Sequence, residues 1–184
     1  YSQDLQNNQN LDSLADIFSL EEVTVNALRA QKDTPVPFIN ISKKDLEKVN
    51  LAQDLPYLLK NTPSVLTTSD SGSGIGYSSI RVRGSDQSRV NVTINGIPYN
   101  DSESMSVYWV NLPDFASSIE SIQIQRGVGT STNGSAAFGG SINILTNAAS
   151  ENASFEINNS LGSFNTVKNS VGFSTGFIND KFEL

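Results

Sequence analysis

Two hydrophobic periods divide the chain. From Val65 onward apolar residues return at every second position, as Ile80 and Val82, then Val90, Val92 and Ile94, then Ile122 and Ile124 behind Ile119, then Ile142 to Leu145. A period of two predicts strands with one face turned to a core. Asn95-Gly96 after Ile94 predicts a tight turn, because both residues accept the positive φ that such a turn needs. Ahead of Val65 the spacing is helical. Ser42-Lys43-Lys44-Asp45 resembles a capping box and is followed by Leu46 and Val49, three apart. Leu51, Leu55, Leu58 and Leu59 predict a second short helix that ends near Asn61 before Pro63 and is limited by Pro56. The middle of the chain therefore reads as a small mixed sheet with two helices and long Gly/Ser loops.

The last 35 residues alternate differently. Ala153, Phe155, Ile157 and Leu161 are apolar, while Ser154, Glu156, Asn158 and Ser160 between them are polar. Val167, Val171 and Phe173 oppose Thr166, Lys168, Ser170 and Ser174 in the same way; Asn179-Asp180-Lys181 then predicts a turn and Phe182-Glu183-Leu184 the start of a further strand. Strands of about ten residues, apolar outside and polar inside, joined by short turns, are the pattern of a membrane barrel. An open pair of such strands would leave unpaired edges, so the chain is expected to be the front part of something longer. No apolar run reaches the roughly 18 residues of a membrane-crossing helix.

At the other end, residues 1–19 are polar and Asn/Gln-rich with a brief apolar patch at Leu14, Ile17 and Phe18, which predicts disorder or a short helical turn. The segment lacks the basic and apolar regions of a signal peptide and is compatible with a secreted chain from which one has been removed. Glu22-Val23-Thr24-Val25 is a solitary strand-like run, and Lys32 to Pro37, with two prolines, predicts an extended linker.

Composition narrows the function classes. The 184 residues carry a net charge of −7, which disfavours nucleic acid, because phosphate binding needs a Lys/Arg surplus. No Cys or His occurs, which removes imidazole and thiolate metal ligation, the Ser-His-Asp and Cys-His arrangements, and any disulfide framework. Carboxylate chemistry alone stays open, so an enzyme is disfavoured. Gly129 to Gly134 imitates a phosphate loop, but Ser135 stands where the phosphate-binding Lys is needed. Gly72, Gly74 and Gly76 read as a mobile loop. Asp101, Glu103 and Asp114 lack regular calcium-loop spacing and read as solvated acidic positions. No metal site and no cofactor are expected.

Three stretches carry a resemblance. IRVRGSDQSRVNVTINGIPYND over residues 80–101 pairs an arginine-glycine strand with a hairpin and a Gly-hydrophobic-Pro turn; SIESIQIQRGVGTSTNGSAAFGGSINILTN over residues 118–147 pairs an Ile-Glu-x-Ile strand and Arg-Gly with a small-residue loop and Gly-Gly-x-Ile-Asn-Ile. AQDLPYLLKNTPSV resembles the helical segment that precedes both. Together they resemble the plug domain of the TonB-dependent outer-membrane receptors, and the wording from Ile97 to Ile144 looks most like receptors of Bacteroidetes.

The resemblance implies an α+β plug, a small mixed sheet with short helices, followed by the first antiparallel strands of a transmembrane β-barrel of about 22 strands. It divides the chain into a flexible periplasmic segment (1–20), a TonB-box-like strand (21–27), the plug (28–149) and the first strands of an incomplete barrel (150–184). It implies energy-coupled uptake of a scarce nutrient such as a siderophore, haem or cobalamin across the bacterial outer membrane. The alternative is a plug-like signalling or adhesion module without transport; a calcium-bound β-solenoid adhesin ranks behind both, since no fixed short repeat is visible.

Specific residues follow from the same resemblance. Glu22, Val23, Thr24 and Val25 stand where the family carries its TonB box, and a free strand of this kind can join the sheet edge of a partner; a buried edge strand of the plug is the competing reading. Arg83 and Arg126, each before a Gly, match arginines that pair with barrel glutamates and lock the plug; solvated arginines are the competing reading, and Arg81 competes with Arg83. The outward loops should be 69–79, 97–115 and 127–136. They hold Asp70, Asp101, Glu103 and Asp114, the aromatics Tyr77, Tyr99, Tyr108 and Trp109, and no Lys or Arg. Such a surface suits a neutral or cationic ligand that stacks on rings and repels an anionic chelate, unless Tyr108 and Trp109 pack against the barrel. The implied partners are TonB, the chain's own barrel, a small-molecule or metal-complex ligand, outer-membrane lipid and, optionally, a surface lipoprotein.

Overall fold

The structure, a computed structural model, describes residues 29–128, 137–150 and 152–178. Glu22 to Val25, the loop from Gly129 to Ala136 and the strand start at Phe182 lie outside the described residues.

Five strands form the central sheet: β1 (Phe38–Ser42), β4 (Val90–Ile94), β5 (Ile97–Pro98), β6 (Ile119–Arg126) and β7 (Gly140–Thr146). Their spatial order is β1-β6-β7-β4-β5. β4 and β7 run parallel and the other neighbours antiparallel, so the sheet is mixed as expected. The β4–β5 hairpin turns at Asn95 and Gly96, both with positive φ, as the sequence requires.

Register puts the branched residues on one face. Ile39 and Ile41 oppose Ile124 and Ile122, which oppose Ile142 and Ile144, which oppose Val92 and Ile94. Against that face pack Leu46, Leu55, Leu58, Leu59, Ile80, Val82, Val107 and Trp109, forming one core. Each fully buried side chain of this kind contributes about 1.5–3 kcal/mol.

Two helices supply part of that cover, and both are shorter than predicted. α1 spans Lys43–Glu47; Ser42 is its N-cap residue, but its hydroxyl donates to Asp45 Oδ2 at 2.7 Å rather than capping a backbone N–H. Val49 lies beyond the helix and is exposed, so Leu46 is the helix's buried residue. α2 spans Leu55–Leu58. It cannot begin at Leu51, because Ala52 has a φ of 62° and Pro56 fits only the first turn. Residues 31–36 form turns instead of an extended linker, with Thr34 N–H donating to Gln31 O at 2.9 Å.

Two hairpins flank the sheet. β2 (Val65–Ser69) pairs with β3 (Ser78–Val82), which brings Ile80 and Val82 into the core. β8 (Ser154–Leu161) pairs with β9 (Val167–Ser174) with Phe155 opposite Phe173, Ile157 opposite Val171 and Leu161 opposite Val167. Those six apolar side chains form an exposed row. The polar side of the hairpin faces the rest of the fold: Lys168 reaches Asp114, and Glu156 reaches Lys43.

Candidate functional site

An open cleft of about 200 Å³ lies between the end of the β2–β3 hairpin and the loop before β6; Thr68, Asp70, Tyr77, Gln87, Val107, Tyr108 and Trp109 are among its lining. Tyr77 and Tyr108 are exposed there, so two of the sequence-selected rings meet at one opening. Trp109 requires correction as a ligand-stacking surface. It is 1% exposed and belongs to the core, because a ring of that size is worth more packed than wet. Among the described residues its indole Nε1 and the Gln87 Oε1 are buried without a hydrogen-bond partner, beneath the cleft surface. Tyr99, partly exposed after β5, is not in this cleft.

Asp101 lies outside the cleft and serves its own turn. Its Oδ2 accepts from Ser104 N–H at 2.7 Å, Ser104 Oγ at 2.8 Å and Glu103 N–H at 3.2 Å. The Ser104 bonds, backbone first, hold its carboxyl below the ordinary carboxylate range. Asp114 is likewise engaged, accepting from Asn50, Ser117 and Lys168. Among the described residues no cluster of acidic side chains suits a metal ion.

The first motif arginine reaches the glycine that follows the second. β3 ends at Val82 and Arg83 follows with a φ of 51°, its amide donating to Ser64 O. Its guanidinium lies over Gly127: a Cβ on that glycine would sit 2.6 Å from Arg83 Nη1. Arg126 ends β6, half-buried, with its Nε enclosed and without a hydrogen-bond partner among the described residues. Among the described residues neither forms an ion pair. Arg81, on the exposed side of β3, lies near Asp86.

The sequence did not single out Arg29, Gln123 or the Asp114–Lys168 pair. Arg29 donates to Ser121 Oγ and O and to Asn143 O, and burial pulls its pKa below the usual value. Gln123 holds the backbone of Ala30. The Ile-Gln-Ile-Gln run from Ile122 was the available signal, but alternation of this kind ordinarily reads as a sheet face left in water.

Known proteins resemble this chain in sequence and fold. The family model of the TonB-dependent Receptor Plug Domain matches residues 30–141. Over 151 residues the chain is 30% identical to the Probable TonB-dependent siderophore receptor PirA of Acinetobacter baumannii, covering 77% of this chain and 20% of that protein. Over 150 residues it is 29% identical to the vitamin B12 transporter BtuB of Vibrio cholerae, covering 81% of this chain and 24% of that one. The fold superposes on the crystal structure of the siderophore receptor PirA from Acinetobacter baumannii with a TM-score of 0.52 at 28% identity, over 74% of this chain and 21% of that one. On the ferric yersiniabactin uptake receptor FyuA from Yersinia pestis the TM-score is 0.56 at 18% identity, over 76% and 21%, a likeness of fold. The chain spans a fifth to a quarter of the curated relatives' length.

Proposed function

Because the chain belongs to the TonB-dependent receptor plug family, we propose that it is the plug and the start of the barrel of an outer-membrane transporter that takes up a scarce nutrient, of the siderophore, haem or cobalamin kind. The observation that carries the reading is the attachment of a family plug to a two-faced hairpin in one chain. The β8–β9 hairpin turns its polar side chains to the plug and its apolar row outward, the arrangement of a barrel wall with a plug on its inside and lipid on its outside.

In this reading Glu22 to Val25 is the strand lent to TonB on the periplasmic side, and Arg83 and Arg126 await glutamates of the barrel. Tyr77 and Tyr108 meet the ligand, and the cleft's carboxylate, Asp70, favours a neutral or cationic one. The protein is a transporter and not an enzyme, needs no cofactor, and admits a surface lipoprotein partner at its outer face.

The test is accumulation of labelled ferric siderophore, haem and cobalamin by cells, compared among the parent, a receptor deletion and a strain without TonB. Uptake of one compound should vanish in both mutants. Binding to the surface with uptake independent of the receptor and of TonB would replace transport with the signalling or adhesion reading.

A further inference from the structure

The middle of the sheet face opposite the core is built from neutral polar side chains, with Phe38 and Leu145 beside them on the same face. Asn40, Gln123, Asn143 and Thr93 stand in one row across β1, β6, β7 and β4. Gln123 is 2% exposed and Asn143 and Thr93 are 3% exposed, so the row is covered from β6 to β4 although it is polar, while Asn40 on the edge strand is exposed. Thr93 Oγ1 donates to Asn143 Oδ1 at 2.7 Å, and Gln123 Nε2 donates to Asn40 Oδ1 at 2.9 Å.

Two residues of the segment before β1 lie on that row. Ala30 N–H donates to Gln123 Oε1 at 2.7 Å, and Gln123 Nε2 donates to Ala30 O at 3.0 Å. One side-chain amide thus pairs with both backbone groups of Ala30, as a neighbouring strand would. Arg29 adds three bonds to β6 and β7 within 3.2 Å, two of them to carbonyl oxygens of the sheet backbone.

A cover held in this way differs from one held by apolar contact. Lifting an apolar segment wets a hydrocarbon surface in proportion to its area. Lifting Arg29 and Ala30 exchanges hydrogen bonds for bonds to water, and the amides beneath find water too, so the net loss per bond is modest. The apolar core on the far side of the sheet is untouched by the exchange.

We propose that Arg29–Ala30 is a detachable strap and that the Gln123 side chain is the clip holding it to the polar face. The strap leaves as a unit while the sheet stays folded. It continues directly from the segment assigned to TonB, but the clip stands on the bonds described above and does not depend on that assignment.

The absence of Cys from these 184 residues makes the test direct. In the intact receptor, freed of any other reactive cysteine, Ala30→Cys reports on the strap and Ile144→Cys on the core face. Reaction rates with a hydrophilic maleimide are compared with Gln123 present and with Gln123→Ala. Loss of the two clip bonds should speed labelling at Ala30→Cys by about tenfold or more and leave Ile144→Cys unchanged. An unchanged rate at Ala30→Cys would overturn the proposal, and so would equal acceleration at both sites, which would make Gln123 a support of the whole sheet. Should Gln123→Ala fail to fold, Arg29→Gln, which alters the strap and no residue of the sheet, takes its place: faster labelling at Ala30→Cys alone supports the strap, and an unchanged rate or equal acceleration at both sites overturns it.

Discussion

Lys168 Nζ lies 2.7 Å from Asp114 Oδ1 and ties β9 to the turn that leads into β6. The lysine is nearly enclosed, with 10% of its side chain exposed, and it also donates to Ser117 Oγ at 2.8 Å. A charge-assisted bond in such surroundings contributes about 1.5–3 kcal/mol. Lys168→Met should therefore lower the stability of the hairpin's attachment by an amount in that range, measured as the denaturant midpoint of a probe on β9. Asp114→Asn should do comparable harm while preserving the left-handed backbone at φ 48°, which Asn tolerates. A Lys168→Met midpoint equal to the parent's would reduce the pair to a surface contact.

The proposed lock predicts that Arg83→Ala and Arg126→Ala in the intact receptor release the plug at lower denaturant. Arg126, half-buried with an enclosed Nε, should show the larger effect. If its barrel partner is deeply buried, the uncompensated charge left behind costs about 3–5 kcal/mol. Equal midpoints for both variants and the parent would make them ordinary surface arginines.

Proline at Val23 or Val25 removes a backbone donor and fixes φ near −65°, so a strand lent to a partner sheet should fail at whichever position faces the ladder. At least one of the two variants should lose energised uptake and keep ligand affinity at the outer face, whereas Val23→Ala should do far less harm. Misfolding with loss of ligand binding would make Glu22 to Val25 a structural strand of the plug.

Gly74 and Gly72 separate two costs. Both have positive φ, 82° and 72°, so an alanine strains the backbone at either. A Cβ at Gly74 would also come within 2.5 Å of Tyr57 Cγ, whereas at Gly72 nothing among the described residues lies within 4 Å. Gly72→Ala should cost about 1–2 kcal/mol, and Gly74→Ala more, by the work of moving the Tyr57 ring out of the core's margin. Equal thermal midpoints would show that the ring moves freely.

Asp101 gives the turn at Ser104 an acid limit. Its folded-state pKa is depressed, chiefly by the Ser104 N–H bond, so its contribution is complete above the unfolded carboxylate value of about 3.9 and is lost as pH falls through the lower folded value. Protection of the Ser104 amide, taken relative to its intrinsic exchange rate at each pH, should fall through that acid window, and Asp101→Asn should flatten the profile.

The fold was legible wherever one residue's neighbours in sequence decide its conformation. Asn95-Gly96 dictates its turn, and the alternation at Val90 to Ile94 dictates a strand. What decides burial is the rest of the molecule. β6 alternates Ile and Gln, yet Ile122, Gln123, Ile124 and Gln125 are all buried, since Ala30 caps an amide that periodicity assigns to water. Trp109 sits in a loop of polar and aromatic residues, and its loop context predicted exposure; packing against the core overrode it. The α2 helix lost its predicted first turn to a left-handed Ala52, a conformation that an alanine does not announce.

Order along the chain and order across the sheet differ. β7, the last of the five strands to appear in sequence, occupies the middle, and β1, the first, occupies an edge. Until Thr146 exists, β1 with β6 and β4 with β5 are two separate ribbons with no strand to join them. A chain delivered amino end first thus stays open along its length and closes in one late step. Unravelled from the same end, it sheds an outer stave while the keystone is still in place.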